Sequence, residues 1–474
     1  MTRAVTAGKR SKAAQAGPKI VIDGQKTMGL PGPLLLEELL RKIKTHEARV
    51  GVIGLGYVGL PLVRLFASKG FIVTGFDVDA NKITAIQTGR SYIKSVPKEL
   101  IAKLLKEKKL TATADFAKLK EMDAVIICVP TPLTVDGKPD VSYIRQTAIA
   151  LQQNYRRGQL IVLESTSYPG TTREVMKTEL EKNGRSCGHD FFLAFSPERE
   201  DPGNKDFTNE QIPKVVGGID EPSGKAACAL YSEAVVRVVE VPTAEIAEAA
   251  KLLENIYRCV NIALVNELKM CFDKMGIDVW EVIRAASTKP FGFQAFNPGP
   301  GLGGHCIPID PFYLSWKARE FQFNTRFIDL AGELNIQMPY YVLGKLEAEL
   351  KQRGKKLDGS KILILGLAYK KDIDDPRESP AFKILELLEQ KGAKAVYNDP
   401  HVPTFPTMRH YRHLRIKPVE LTERELASKD ATIIVTNHSA FDYEWIVKHS
   451  TLVVDTHNAC AAFRARWPDR IIRA

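Results

Sequence analysis

The sequence predicts an α/β protein with two parallel-sheet domains joined by a central helical domain. Three observations carry this. From Ala48 onward, short buried-type strands alternate with helical stretches. From Thr243 to about residue 350, alanine, leucine and glutamate dominate with a helical period. At Lys361-Ile-Leu-Ile-Leu-Gly366 the strand-then-glycine pattern returns, so the last third repeats the layout of the first.

The elements follow in order. Residues 1–20 carry Arg3, Lys9, Arg10, Lys12 and Lys19 without an acid, which predicts a disordered arm. Leu34–Lys44 reads as an amphipathic helix leading into the first strand. Arg49–Ile53 and Ile72–Phe76 are strands, with Leu60–Lys69 as the helix between them. Asp123–Val129, Leu160–Leu163 and Phe191–Phe195 are further strands of one parallel sheet. Helical periodicity runs through Glu245–Lys274, Pro311–Ala318 and Ile328–Lys351, and the long helices suit a dimer spine. In the last third, Ala381–Gln390 is a helix, and Ala395–Asn398, Asp430–Thr436 and Leu452–Asp455 are strands. We therefore divide the chain into an N-terminal arm (1–45), a Rossmann-like domain (46–215), a helical domain (216–350) and a second Rossmann-like domain (351–474).

Composition limits the function classes. The chain has 474 residues, 44% hydrophobic and 26% charged, and reads as soluble and globular. No apolar run approaches the roughly 20 residues of a membrane span, so no membrane role is expected. The seven cysteines (128, 187, 228, 259, 271, 306, 460) are never in CxxC spacing. That pattern suits a reducing cytoplasm and argues against a metal site or a disulfide scaffold. The net charge of +11 suits polyanionic ligands such as a dinucleotide and a nucleotide sugar. It comes without the arginine-rich or aromatic-interleaved patch that nucleic acid requires.

The chemistry begins at Gly54-Leu-Gly56-Tyr57-Val58-Gly59, which follows a strand, opens a helix and precedes Asp77 at the end of the next strand. This is the dinucleotide fingerprint. Gly54 makes the turn, Gly56 admits the pyrophosphate and Gly59 lets the helix pack on the strand. Asp77 accepts from ribose hydroxyls and repels a 2′-phosphate, which selects NAD over NADP. Lys82 lies near enough in sequence to reach the ribose or phosphates.

A second stretch, Pro298 to Pro311, sets Cys306 after a run of glycines and prolines, with His305 before it and Asp310 following. Such a backbone admits a bulky ligand close to a thiol. A thiol attacks an aldehyde, and hydride loss from the adduct gives a thioester that water hydrolyses. Lys251 and Asn255 lie one helical turn apart, so both reach one small volume where they can stabilise an oxyanion. Strand ends carry Pro130-Thr131, Glu164-Ser165-Thr166 and Ser196-Pro197-Glu198-Arg199, where open α/β sheets bind ligands.

Together, and in this order, these motifs resemble the UDP-glucose/GDP-mannose dehydrogenase family, from about residue 48 to 470. Further markers are Gly303-Gly304-His305-Cys306 and Lys370 through Arg377-Glu378-Ser379-Pro380. The resemblance implies oxidation of a sugar-nucleotide C6 alcohol to the carboxylate with two NAD and no release of aldehyde. It implies Cys306 as nucleophile, Lys251 and Asn255 as the oxyanion and water-positioning pair, and Asp310 as the proton-transfer group. Thr166 then holds the water and Glu198 is a second acid/base. Tyr57, Val58, Pro130, Thr131, Thr166 and Arg377 fall on the cofactor. Asn297, Gly299, Gly301, Gly303, Glu198, Arg199, Lys251, Asn255 and Lys370 fall on the sugar nucleotide.

The loop reads Gly-Gly-His305-Cys-Ile-Pro-Ile309-Asp rather than the Gly-Gly-Ser-Cys-Phe-x-Lys-Asp type usual for UDP-glucose, and Arg199 follows Ser-Pro-Glu. These departures, with Lys289–Phe293, look most like the UDP-N-acetylglucosamine 6-dehydrogenase branch. UDP-N-acetylmannosamine and UDP-glucose stay open as substrates. A two-electron hydroxy-acid dehydrogenase and a non-catalytic nucleotide sensor are the other classes considered. The first has no need of Cys306 or a second α/β domain.

Overall fold

The computed structural model describes residues 32–93, 96–134, 136–199, 210–304, 307–408 and 410–474. The expected disordered arm lies outside the described residues; so do His305 and Cys306.

The first sheet comprises β1 (Arg49–Ile53), β2 (Ile72–Phe76), β3 (Leu110–Thr113), β4 (Ala124–Ile127), β5 (Gln159–Leu163), β6 (Phe191–Phe195), β7 (Lys214–Gly218) and β8 (Val238–Val241). Its order is β3-β2-β1-β4-β5-β6-β7-β8. The strands expected from the sequence all pair in parallel, and β7, which was not expected, joins β6 antiparallel. Helices cover both faces. Alternate residues of β1 and β4 therefore feed two cores: Val50, Val52 and Ile126 on one side, Ile53, Val125 and Ile127 on the other. Burial on both faces explains why these strands read as continuous apolar runs.

The second sheet comprises β9 (Lys361–Leu365), β10 (Lys394–Asn398), β11 (Lys417–Pro418), β12 (Ala431–Ile434), β13 (Val453–Asp455) and β14 (Ile471–Arg473), in the order β11-β10-β9-β12-β13-β14. In both sheets the chain winds outward from one central strand and then restarts on its other side. The crevice at that reversal, between β1 and β4 and between β9 and β12, is where such sheets take ligands. The likeness extends to atoms. Asp77 after β2 accepts from Leu55 N at 2.8 Å, and Asp399 after β10 accepts from Leu367 N at 2.6 Å.

Between the sheets run two long helices, Ala244–Lys274 and Arg326–Gln352. The first has 31 residues, which makes it about 46 Å long at about 1.5 Å per residue. Thr243 caps it, accepting from Ile246 N. The helices are locked by a buried amide pair, Asn266 Nδ2 to Asn335 Oδ1 at 3.0 Å. Asp273 also accepts from Tyr341 Oη and Lys345 Nζ, at 2.9 and 2.7 Å.

Candidate active site

The fingerprint turn divides its three glycines by what surrounds them. Gly54 has φ +90°, and a Cβ there would lie 2.4 Å from Cys128 O. A Cβ on Gly59 would lie 1.8 Å from Gly54 O. Both glycines are required by protein packing. A Cβ on Gly56 meets nothing within 4 Å, so that position opens onto the crevice, which is the approach a pyrophosphate needs. Asp77 is buried; its Oδ2 accepts from Lys82 Nζ at 3.0 Å and its Oδ1 from Asp79 N at 2.9 Å. Burial pushes this carboxyl up, but the amides of Asp79 and Leu55 and the Lys82 ammonium outweigh it and hold it below the ordinary range. Lys82 is thus tied to Asp77, at the ribose end of the fingerprint.

From the mouth of the first sheet a cleft of about 560 Å³ runs between the three regions. The first sheet contributes Gly56, Tyr57, Val58, Pro130 and Thr131, then Thr166, Glu198 and Arg199 from the ends of β5 and β6. The long helix contributes Lys251 and Asn255, and the glycine-rich segment Asn297, Gly299, Gly301, Gly303 and Asp310. The second sheet contributes Lys370 and Arg377. Of the predicted site residues that are described, only Gly54, Gly59, Asp77 and Lys82 stand outside the cleft wall; they form the turn and the carboxylate pair beneath it.

The most distinctive polar group is Asp310, at the start of the helix Asp310–Glu320. It is 2% exposed, and its Oδ2 accepts from Asn255 Nδ2 at 2.6 Å. Burial pushes its carboxyl up to about 7, against the opposing pull of Lys251 and Asn255. A carboxyl poised there exchanges a proton near neutral pH. Lys251 and Asn255 are both 8% exposed, so their donors act in a dry setting. Gly304 and Ile307, on either side of the undescribed pair His305 and Cys306, both line the same cleft.

A buried ionic group underlies Glu198. Lys214 Nζ sits 2.8 Å from Glu164 and 3.5 Å from Glu198, and Tyr231 Oη donates to Glu164. Burial disfavours the Lys214 ammonium, but the two carboxylates more than offset it and keep it charged. Arg199 is braced too, with Nη1 on Pro213 O at 2.7 Å and Nη2 2.7 Å from Glu254.

The glycine-rich segment is threaded between neighbours. Gly299 N donates to Asn266 Oδ1 at 3.0 Å, and a Cβ on Gly303 would lie 2.6 Å from Tyr369 Cβ. Gly304 N donates to Arg377 O at 3.0 Å. Arg377 also grips Asp375 through Nε and Nη2, and its guanidinium lies 4.4 Å from the Tyr57 ring centroid. That contact brings the second sheet onto the fingerprint turn of the first.

Near Lys370, ligand-type atoms of Asp372, His401 and His438 gather within 4.8 Å. His438 and Asp372 are already engaged internally. The Asp372 backbone N–H donates to His438 Nδ1 at 2.9 Å, which leaves Nε2 to donate to Asp399 at 3.1 Å. The Asp372 carboxylate accepts from Ser439 N and Oγ, both at 2.7 Å. These bonds pin the turn that follows Lys370.

Three family models match along the chain. The NAD binding domain of the UDP-glucose/GDP-mannose dehydrogenase family matches residues 48–235, its central domain 245–337 and its UDP binding domain 363–462. The chain belongs to the UDP-glucose/GDP-mannose dehydrogenase family. It is similar to a UDP-N-acetyl-D-mannosamine dehydrogenase of Methanococcus maripaludis, 34% identical over 83% of this chain and 87% of that protein. It is as similar to a UDP-N-acetyl-D-glucosamine 6-dehydrogenase of Pseudomonas aeruginosa, at 34% over 83% of this chain and 92% of that one. Among solved structures, a UDP-D-ManNAc dehydrogenase of Pyrococcus horikoshii superimposes with a TM-score of 0.78 at 33% identity, over 87% of this chain and 96% of that one.

This member of the family is therefore an NAD-dependent UDP-sugar dehydrogenase. The fingerprint residues suit NAD: Gly56 leaves the space and Asp77 is held as an acceptor. Sequence reasoning passed over Glu254, Arg258, Tyr369 and His457, which also line the cleft. The first two had a signal. The helical spacing that joins Lys251 to Asn255 continues to Arg258 on the same face. Tyr369 and His457 had none, because only the folded second sheet brings them to the cleft. Among the described residues, no helix is long and apolar enough to cross a membrane.

Proposed function

We propose that this dehydrogenase oxidises the C6 hydroxyl of UDP-N-acetylglucosamine to the uronic acid in two two-electron steps, through a Cys306 thiohemiacetal and thioester. NAD, when bound, supplies the electron acceptor for both steps. The observation that carries the reading is the buried Asp310–Asn255–Lys251 group on the wall of the cleft that also holds Gly304 and Ile307.

In this reading Lys251 and Asn255 donate to the oxyanion. Asp310 takes a proton from the C6 hydroxyl or the attacking water. Thr166 holds that water, and Glu198 acts as the second acid/base in thioester hydrolysis. Asn297, Gly299, Gly301 and Gly303 hold the sugar nucleotide with Lys370 and Arg199, while Tyr57, Val58, Pro130, Thr131 and Arg377 frame the cofactor. Arg258 joins them as a cation for the diphosphate. The exposed apolar side chains Leu253, Tyr257 and Leu264 on one long helix and Ile336 and Tyr340 on the other support a homodimer through these helices. A cytoplasmic setting fits the free cysteines.

Relatives named for UDP-N-acetyl-D-mannosamine favour that epimer as the second substrate reading. A panel of UDP-sugars scored by NADH formation decides. UDP-N-acetylglucosamine is expected to give the highest kcat/KM, and a higher value for the mannosamine epimer or UDP-glucose rejects the assignment. Cys306→Ala is expected to abolish acid formation while NAD still binds; unchanged turnover would remove the nucleophile.

A further inference from the structure

One buried acid near this site has no part in the chemistry proposed so far. Glu248 lies on the long helix one turn before Lys251, on the same face, and is 1% exposed. Its Oε2 accepts from Gly170 N at 2.6 Å. Its Oε1 accepts from Thr172 N at 2.9 Å and from Thr172 Oγ1 at 2.7 Å. The segment it grips follows β5, runs from Glu164 through Ser165 and Thr166, and enters the helical stretch that begins at Thr172.

We infer that Glu248 is a positioning residue for the dehydrogenase: it fixes the Thr166 loop against the helix that carries Lys251 and Asn255. The inference rests on the proposed roles of those three residues. Besides this carboxylate, the loop meets the helix through Tyr168 packed on Leu252 and through the Arg173–Glu245 pair nearer the surface, and each wall also has its own anchor. The loop is tied to the first sheet through Ser165 Oγ on Val129 O at 2.8 Å. The helix is tied to its long partner through the Asn266–Asn335 pair. Glu248 adds three buried hydrogen bonds between the two systems, about 4–5 Å along the helix axis from Lys251, given three residues at about 1.5 Å each.

The carboxylate suits the task because its partners are all donors. Two backbone N–H groups, just before and at the start of the helical stretch, and one hydroxyl converge on it. Burial pushes its acid up to about 7, those donors oppose the rise, and the neighbouring charge acting on it is Glu245, of like sign. A structural cap would satisfy the loop from its own residues. This one comes from the element that bears the reacting groups.

Glu248→Gln tests the idea with little change in volume. The amide oxygen can still accept from Thr172, but the NH2 then meets Gly170 N–H, donor against donor. Misplacing a catalytic group by about 1 Å can cost on the order of a hundredfold in rate. We expect kcat to fall at least about tenfold, while dissociation constants for NAD and for the UDP-sugar, measured separately by calorimetry, move less than about threefold. Thr172→Val removes a single one of the three bonds and should lower kcat in the same direction by less. Combined with Glu248→Gln, it should add little. Glu245→Gln, which breaks the exposed Glu245–Arg173 pair between the same two elements, should leave kcat unchanged.

Hydrogen exchange over residues 164–172 should rise in Glu248→Gln whatever the substrate. Wild-type kcat in folded Glu248→Gln and in Thr172→Val would overturn the inference. So would equal losses of kcat and both affinities, or unchanged exchange in that loop. If wild-type protein forms no NADH from any UDP-sugar, the function reading fails, and loop exchange alone then decides whether Glu248 holds the two elements together.

Discussion

Asp310→Asn probes the site most sharply. The structure assigns this acid a pKa of about 7 against an ordinary 3.8, chiefly from burial. That rise corresponds to roughly 4 kcal/mol of preference for the neutral acid. If ionised Asp310 receives the proton, kcat should climb with pH and level off above about 7. Asparagine keeps the hydrogen bond to Asn255 within reach after an amide flip but takes no proton. We expect kcat to drop by about 10²–10⁴, the usual worth of a positioned acid or base, and the limb near pH 7 to vanish.

Stability gives an independent sign. An acid with a raised folded pKa is bound to its proton more tightly in the native state. Its stabilising effect is therefore complete below pH 3.8 and is lost as pH rises through about 7. Asp310→Asn should thus be more stable than wild type at pH 8, with the difference shrinking toward pH 5. Stopped NADH assays across pH 5.5–9, paired with urea melts at both ends, measure the two effects. Glu248 also titrates near 7, so the wild-type limb alone is ambiguous. A limb that persists in Asp310→Asn, with kcat within about threefold of wild type, would refute the proton-transfer role.

The other expectations are simpler. Gly59→Ala should fail to fold stably, because its Cβ would strike Gly54 O. Gly56→Ala should fold with an unchanged melting temperature but bind NAD at least about tenfold more weakly, read by calorimetry. Lys214→Met should lower stability by about 3–5 kcal/mol in urea melts, since it leaves Glu164 buried beside Glu198 without its cation, whereas Lys214→Arg should recover much of it. Arg377→Ala removes the guanidinium stacked on Tyr57, a contact worth about 0.5–2 kcal/mol. It should raise KM for NAD severalfold with a smaller change in kcat.

Much of this architecture is legible because local patterns agree with the fold. Strands such as Arg49–Ile53 and Phe191–Phe195 are buried on both faces and leave unbroken apolar runs. The strands that escaped notice lack that signature. Leu110–Thr113 alternates buried leucine and alanine with threonine, Lys214–Gly218 opens on a lysine and ends on two glycines, and Val238–Val241 is half-buried at the sheet edge. The antiparallel turn of β7 also has no local mark, since strand direction is set by the crossover and not by the strand's residues.

The site divides in the same way. Helical spacing puts Lys251 and Asn255 on one face, and Thr166 and Glu198 follow strands, so their shared place on the cleft wall has a mark in the sequence, while their roles came only with the family resemblance. Lys214 reaches Glu164 across 50 positions of sequence, and Glu248 reaches Thr172 across 76. Pairings that distant arise only when β5, β7 and the long helix come together. Asp77 stands at the end of β2, where the fingerprint puts its carboxylate, but its pairing with Lys82 has no mark in the sequence, which offered Lys82 only to the ribose or phosphates.

The central claim is that one substrate gives up four electrons without leaving the site. Purified protein should be given a limiting, weighed amount of UDP-N-acetylglucosamine with excess NAD, and NADH read by absorbance at completion. Two NADH for each sugar, with an aldehyde trap collecting nothing, is the predicted result. One NADH per sugar, or trapped aldehyde in proportion to NADH, would contradict it.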